Sequence, residues 1–271
     1  MNFFSGFFKG IGNCFKGFEV LFNRGLWPLM FYPLIIWIIL YVASIYGVIW
    51  LADGISNWLR SFLNIESIPE HGHWLSFAKP LLNSVGFFIS WTLRFLFWIT
   101  SGTLVKYILL IILSPVFSLL SEKTEEKIGG EKFPFSFVQL LKDIARGTAI
   151  SLRNLLFEYL FIFGGFVLCF FFPPLILFVT PFLFFIGWYF VGFTLLDYNC
   201  ERHRYSIGKS VDLIRKNKGY ACGIGFVYSF FLALPFLPGD IIGIMCGPAL
   251  GVIGATLSFL EMNRNGSVTV S

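Results

Sequence analysis

Phe3, Phe4, Phe7, Phe8, Ile11, Phe15, Phe18 and Phe22 recur at three- and four-residue steps, with Lys9, Asn13, Lys16 and glycines between them. This spacing predicts an amphipathic helix over 1–24. A Phe-rich face opposite lysines suits a helix in the membrane interface; packing on the protein's own bundle is the alternative. No basic segment leads into one unbroken apolar core, so the stretch does not read as a signal peptide.

Residues 26–52 read as a first membrane span. Leu29 to Ala52 holds 24 residues without a charge, enough at ~1.5 Å per residue to cross a ~30 Å hydrocarbon core. Pro28 suits its first turn. Residues 53–79 are the most polar connection and read as an outer loop. His71 and His73 lie there with nothing obvious to complete a metal site. A second long helix is expected over 80–128, interrupted by Arg94 and Lys106 and kinked at Pro115. Residues 131–153 read as a cytoplasmic amphipathic segment.

Residues 154–196 contain one charge, Glu158, and are broken by Pro173-Pro174. The turn is flanked by Phe170, Phe171, Phe172, Leu175 and Ile176 and has no strongly polar group. An apolar apex predicts a first hairpin whose tip stays in the bilayer or in protein. A basic linker over 197–220 carries a short helix, Ser206 to Asn217. A second hairpin over 221–260 turns at Pro235–Asp240 and contains Gly247-x-x-x-Gly251, a spacing that lets helices approach closely in lipid. Together these segments predict an all-α integral membrane protein. It would have two long transmembrane helices, two Pro-turned, half-inserted helical hairpins and an N-terminal amphipathic helix, in a single membrane domain, 1–271.

Composition supports this reading. Of 271 residues, 56% are hydrophobic and only 13% charged, too few charges to cover a soluble globule of this size. Disorder and charge-led nucleic-acid binding are excluded on the same ground. The five cysteines lie far apart, with neither metal spacing nor a disulfide framework. Lys and Arg concentrate in 1–28, 121–153 and 197–220. The positive-inside rule then makes both termini cytoplasmic.

Candidate chemistry is sparse. An anion would need fixed positive charge or oriented N–H donors. Arg24, Arg146, Arg153 and His203 could supply them, and Glu122 and Glu125 could hold arginines in place; the alternative is that all are surface charges that set topology. No nucleophile–base pair stands out, so an enzyme is not expected. No phosphate-binding G-x-x-x-x-G-K-[ST] occurs, and no cofactor or metal is called for.

Gly25-Leu26 before a span containing Pro33 resembles the start of the CysZ-type sulfate transporters, a family that includes the etoposide-induced membrane proteins. Ser114-Pro115 with Leu119-Leu120-Ser121-Glu122 and Glu125 resembles another family segment. So do Asp197-Tyr198, His203 and Arg215-Lys216, and so do Pro248-Ala249 with Gly254-Ala255-Thr256. The resemblance implies two membrane helices, two hairpins entering the bilayer partway, and a homo-oligomer. It also implies sulfate uptake for cysteine biosynthesis across the bacterial inner membrane, with sulfate or a related oxyanion and the lipid bilayer as partners. It places the substrate beside Gly25 and Leu26, where Arg24 is the nearest cation and completes the candidate site. The family's arginine after Gly-Leu is absent: Trp27 and Pro28 stand there. The rival reading is a non-transporting membrane protein that binds partners or shapes the membrane.

Overall fold

A computed structural model describes residues 2–62, 106–108, 110–128, 137–233 and 237–264. Every regular element among them is helical. The chain divides into two compact units, Met1–Ile36 with Tyr107–Ser271, and Trp37–Lys106.

In the first unit, α1 (Phe3–Asn23) has two distinct faces. Gly6, Gly10, Asn13, Cys14, Gly17 and Leu21 are buried at helical spacing. Phe4, Phe8, Phe15 and Phe22 point outward. The helix therefore packs through its small residues and keeps much of its aromatic surface uncovered. It ends at Gly25 (φ 71°), and a 3-10 turn, Trp27–Met30, leads into α2 (Phe31–Phe62).

The remaining helices of this unit are α3 (Ser114–Ile128), α4 (Phe137–Phe171), α5 (Ile176–Arg202), α6 (Ile207–Lys216), α7 (Lys218–Leu232) and α8 (Leu237–Arg264). A short helix, Lys106–Ile112, precedes α3 and bends from it by 64°. The break falls where Pro115 cannot donate to the carbonyl one turn back. At α4–α5 the chain turns through Phe172 and a 3-10 turn, Pro173–Leu175, as the proline pair predicts. Among the described residues, three stretches are long and apolar enough to cross a membrane: Ile144–Phe171, Pro173–Arg202 and Ile241–Arg264. Two bent pairs raise the number to five.

Several boundaries differ from expectation. Because no proline interrupts it, α2 continues through Asp53 to Phe62; the rest of the expected outer loop, 63–79, and residues 80–105 of the second long helix lie outside the described residues. From Phe137 on, the expected amphipathic segment and the first hairpin leg form one helix, and Asn154 lies inside α4 with its Nδ2 donating to Thr194 within the bundle. Asp197 to Arg202 belong to α5 rather than to a linker. Pro248 lies inside α8, within the second leg of the hairpin as expected.

Packing centres on α7, which contacts α1, α5 and α8. Glycines set the approach. A Cβ at Gly219 or Gly223 would lie 2.3 or 2.2 Å from the carbonyl oxygens of Phe3 and Phe7 on α1. On the other side, Gly192 of α5 faces the Ala221 carbonyl and Gly225 of α7 faces the Trp188 carbonyl, each at 1.8 Å from a notional Cβ. Backbones this close leave no room for any side chain.

The second unit is described from Trp37 to Phe62 and at Lys106. Ile38, Ile39, Val42, Tyr46, Ile49, Trp50 and Trp58 are exposed along its part of α2. That is the surface expected of a helix facing hydrocarbon.

Candidate functional site

Among the described residues, the first unit holds two ion-pair networks centred on arginines, a more exposed Lys9–Glu261 pair joined by Asn13, a buried polar stripe, and the turn after α1. The first network joins α3, α5 and α8. Arg202, in the last turn of α5, pairs with Glu125 of α3, with both side chains almost fully buried. It also donates to Ser121 Oγ (2.8 Å) and Asn199 Oδ1 (3.0 Å). Ser121 bonds Asn199 Oδ1 (2.9 Å) and Thr256 Oγ1 of α8 (2.8 Å). His203 approaches Glu125 at 3.3 Å and lies 4.8 Å from the Phe259 ring. Glu122 is half-buried, close enough to act on Arg202 electrostatically, and makes no hydrogen bond to a described residue.

The second network ties α4 to the α5–α6 link. Arg146 grips Asp197 with two nitrogens, Nη2 to Oδ1 at 3.0 Å and Nε to Oδ2 at 3.4 Å. It also donates to Ser210 Oγ (2.8 Å) and to the Tyr205 carbonyl. Ser210 donates in turn to Asp197. Arg204 permits this arrangement by taking a left-handed conformation (φ 57°). The Tyr205 and Arg204 N–H groups then bond the Cys200 and Glu201 carbonyls, closing α5. Burial pushes the Tyr205 phenol above its ordinary range, so it stays neutral beside these charges.

Gly147, Ser151, Asn154 and Glu158 follow at four-, three- and four-residue steps, giving one buried polar stripe on α4. Glu158 accepts from the Tyr107 hydroxyl at 2.6 Å. Asn154 donates to Thr194 Oγ1 at 3.0 Å, and Thr194 donates to the Phe190 carbonyl. Tyr198 donates to the Leu110 carbonyl at 2.8 Å.

At the turn after α1, Leu26 N–H bonds Leu21 O (3.0 Å) and Gly25 N–H bonds Phe22 O (3.3 Å). Leu21 and Leu26 are both buried. This is a Schellman cap with its hydrophobic contact. The backbone donors of Gly25 and Leu26 therefore serve α1, and the group the turn offers an anion is the exposed Arg24 side chain.

Of the residues expected from the sequence, Glu125 and His203 come together. Arg146 pairs with Asp197 instead of Glu122 or Glu125. Arg153 stands over the rings of Phe157 and Phe193. Arg24, Gly25 and Leu26 sit at a separate turn. The sequence reading passed over Arg202, taken as one of many cytoplasmic charges, and the Glu158–Tyr107 pair. Ser121, Asp197 and Thr256 stand out in the sequence only within segments that carry a resemblance; Ser121 and Thr256 join helices across the first network and Asp197 across the second. Among the described residues no three of His, Cys, Asp and Glu gather as a metal would require.

A family model described as "Sulfate transporter CysZ/Etoposide-induced protein 2.4" matches residues 13–238. Similar curated proteins include "Sulfate transporter CysZ" of Vibrio cholerae serotype O1, 26% identical over 244 residues, covering 88% of this chain and 90% of that protein. "Sulfate transporter CysZ" of Pectobacterium atrosepticum is 24% identical over 265 residues, covering 97% of this chain and 88% of its own length.

Proposed function

Because the chain belongs to the sulfate transporter CysZ/etoposide-induced protein 2.4 family, we propose that this integral membrane protein moves an inorganic oxyanion, sulfate foremost, across the bacterial inner membrane to supply cysteine biosynthesis. It works as a homo-oligomer with both termini in the cytoplasm, and the Pro173–Leu175 tip stays within the bilayer. The similarity to sulfate transporters of Vibrio cholerae and Pectobacterium atrosepticum supports the substrate class.

The observation that carries the assignment of a site is the disposition of the cations. A dianion leaving water needs charge-assisted donors. Arg146 and Arg202 are neutralised by Asp197 and Glu125. Arg24 has no carboxylate partner among the described residues, is exposed, and flanks the break between α1 and the Trp27 turn. Pro28 brings no N–H there, so Arg24 supplies the attraction. The two networks tie α3 and α8 to the end of α5, and α4 to the α5–α6 link.

Calorimetric titration of the purified protein with sulfate tests this site. Arg24→Ala should weaken binding by about 1.5–3 kcal/mol, roughly ten- to a hundredfold. Trp27→Arg, which restores the family's residue, should strengthen it. Wild-type affinity in both variants would reject the site. The Schellman cap favours one rival: since it occupies the Gly25 and Leu26 N–H groups, the turn also suits a purely structural role in a partner-binding or membrane-shaping protein. Absence of any sulfate binding by wild type would support that reading.

A further inference from the structure

The contacts of α1 fix its course. Beside α7 it runs parallel: Phe3 and Phe7 meet Gly219 and Gly223, and the Phe18 ring lies 6.2 Å from that of Phe231. Beside α8 it runs antiparallel, from Lys9 on Glu261 (2.8 Å) through Asn13 on Ser258 (3.1 Å) to Gly17 against Leu250 and Ile253. The α8 partner is long and apolar enough to cross a membrane over Ile241–Arg264, so α1 shares its depth. Phe18 is already level with the last turn of α7. Arg24, about 22 Å along the helix from Lys9, therefore sits at the far end of the α7–α8 pair. At about 100° per residue, the exposed residues Phe4, Phe8, Phe15 and Phe22 share one narrow arc. A second arc holds Ser5, Lys9, Lys16, Glu19 and Asn23, and these too are exposed. Gly12 lies in the same strip, with no described atom within 4 Å of a notional Cβ.

Charged side chains exposed at this depth have no place against hydrocarbon; within membranes they face water-filled cavities or pair with one another. Snorkelling serves a lysine near a helix end, not the shorter Glu19 and Asn23 farther in. Among the described residues Lys16 forms no ion pair, unlike Lys9. We propose, resting on the transport reading above, that the polar strip of α1 lines the water-filled route by which the oxyanion moves between the cytoplasm and Arg24, with Lys16 as the cation it passes. Lysine suits a passing anion, because its ammonium is a point charge on a flexible stem and lacks the two-pronged grip of arginine. Conduction also requires release, and Glu19, three residues from Lys16, weakens the hold on an anion there. The aromatic arc faces lipid.

The test uses the full-length protein in sealed vesicles, with every variant first shown to elute as a single species. Single cysteines are placed in a cysteine-free background by Ser5→Cys, Lys16→Cys and Asn23→Cys on the strip and by Phe8→Cys and Phe15→Cys on the aromatic arc. A small, membrane-impermeant sulfonated thiol reagent, supplied on the side of the N-terminus, should modify the three strip positions and spare the two aromatic ones, and sulfate should slow the reaction at Asn23→Cys. A maleimide carried on a long polyethylene glycol should reach Ser5→Cys alone. Lys16→Glu should slow uptake of labelled sulfate at least about tenfold. Arg24 lies beyond a Debye length from Lys16, so calorimetric affinity for sulfate should stay within about twofold. Lys16→Arg, which keeps the charge, should stay near the wild-type rate. Reaction of the long reagent at all three strip positions would put α1 on the membrane surface and overturn the route. In protein that takes up sulfate, strip positions closed to the small reagent, or Lys16→Glu at the wild-type rate, would overturn the route and leave transport standing. Absence of uptake by wild type would overturn transport, and the route with it.

Discussion

The contact between α5 and α7 makes a prediction whose sign reverses at Gly12, a glycine of α1 outside that contact. Substituting Gly192→Ala places a methyl 1.8 Å from the Ala221 carbonyl oxygen. Carbon–oxygen contacts settle near 3.3–3.6 Å, so the helices must part locally by about 1.5 Å. A gap of even ~0.5–1 Å forfeits a quarter to a half of each dispersion contact. Overpacking ordinarily costs ~1–3 kcal/mol, and a backbone carbonyl cannot rotate aside, so the cost here belongs at about 3 kcal/mol. For a chain of this size that is a fall of roughly 6–12 °C in melting temperature. Gly225→Ala, whose methyl would meet the Trp188 carbonyl at 1.8 Å, should behave alike. Gly12 has nothing within 4 Å of its notional Cβ. Gly12→Ala should therefore show only the helix-propensity gain of ~0.5–1 kcal/mol. Thermal unfolding in detergent, followed by size-exclusion chromatography of the surviving fraction, measures all three. Equal stability of Gly192→Ala and Gly12→Ala would refute the claim that backbone contact governs this interface.

Two further outcomes follow from the networks and the hairpin. Glu125→Gln leaves the buried Arg202 charge without its carboxylate and should destabilise the fold by ~3–5 kcal/mol. Adding Arg202→Met should recover part of that loss in the same thermal assay, and a larger fall in the double variant would show that Arg202 has another dominant partner. Cysteine at Leu175, in a cysteine-free background, should resist a membrane-impermeant thiol reagent added outside cells. Rapid labelling would mean that the tip crosses fully, as the lengths of Ile144–Phe171 and Pro173–Arg202 allow.

Local signals made much of the fold legible. Three- and four-residue spacing marked α1, and two adjacent prolines marked the turn between α4 and α5, because each acts within one or two helical turns. Asn154 misled because a polar side chain in an apolar run looks like an exit to water; its donor is met by Thr194, forty residues away. Arg202 was hidden for the same reason. Its sequence neighbours, Glu201, His203 and Arg204, suggest a solvated end, whereas its partner Glu125 comes from a distant helix. The glycines of α7 carry no signal of their own in the sequence, because the carbonyls they meet come from α1 and α5, distant in the chain. Gly25-Leu26 could have been read as a cap from its own spacing, since a glycine followed by Leu26, five residues beyond Leu21, is the Schellman pattern.

Flux of radiolabelled sulfate into sealed proteoliposomes tests the central claim most directly. Vesicles containing the protein should accumulate sulfate faster than empty vesicles and faster than vesicles carrying Arg24→Ala at the same density of folded protein. Uptake no faster than in empty vesicles, from protein that elutes as a single folded species before and after reconstitution, would contradict an anion-transport function.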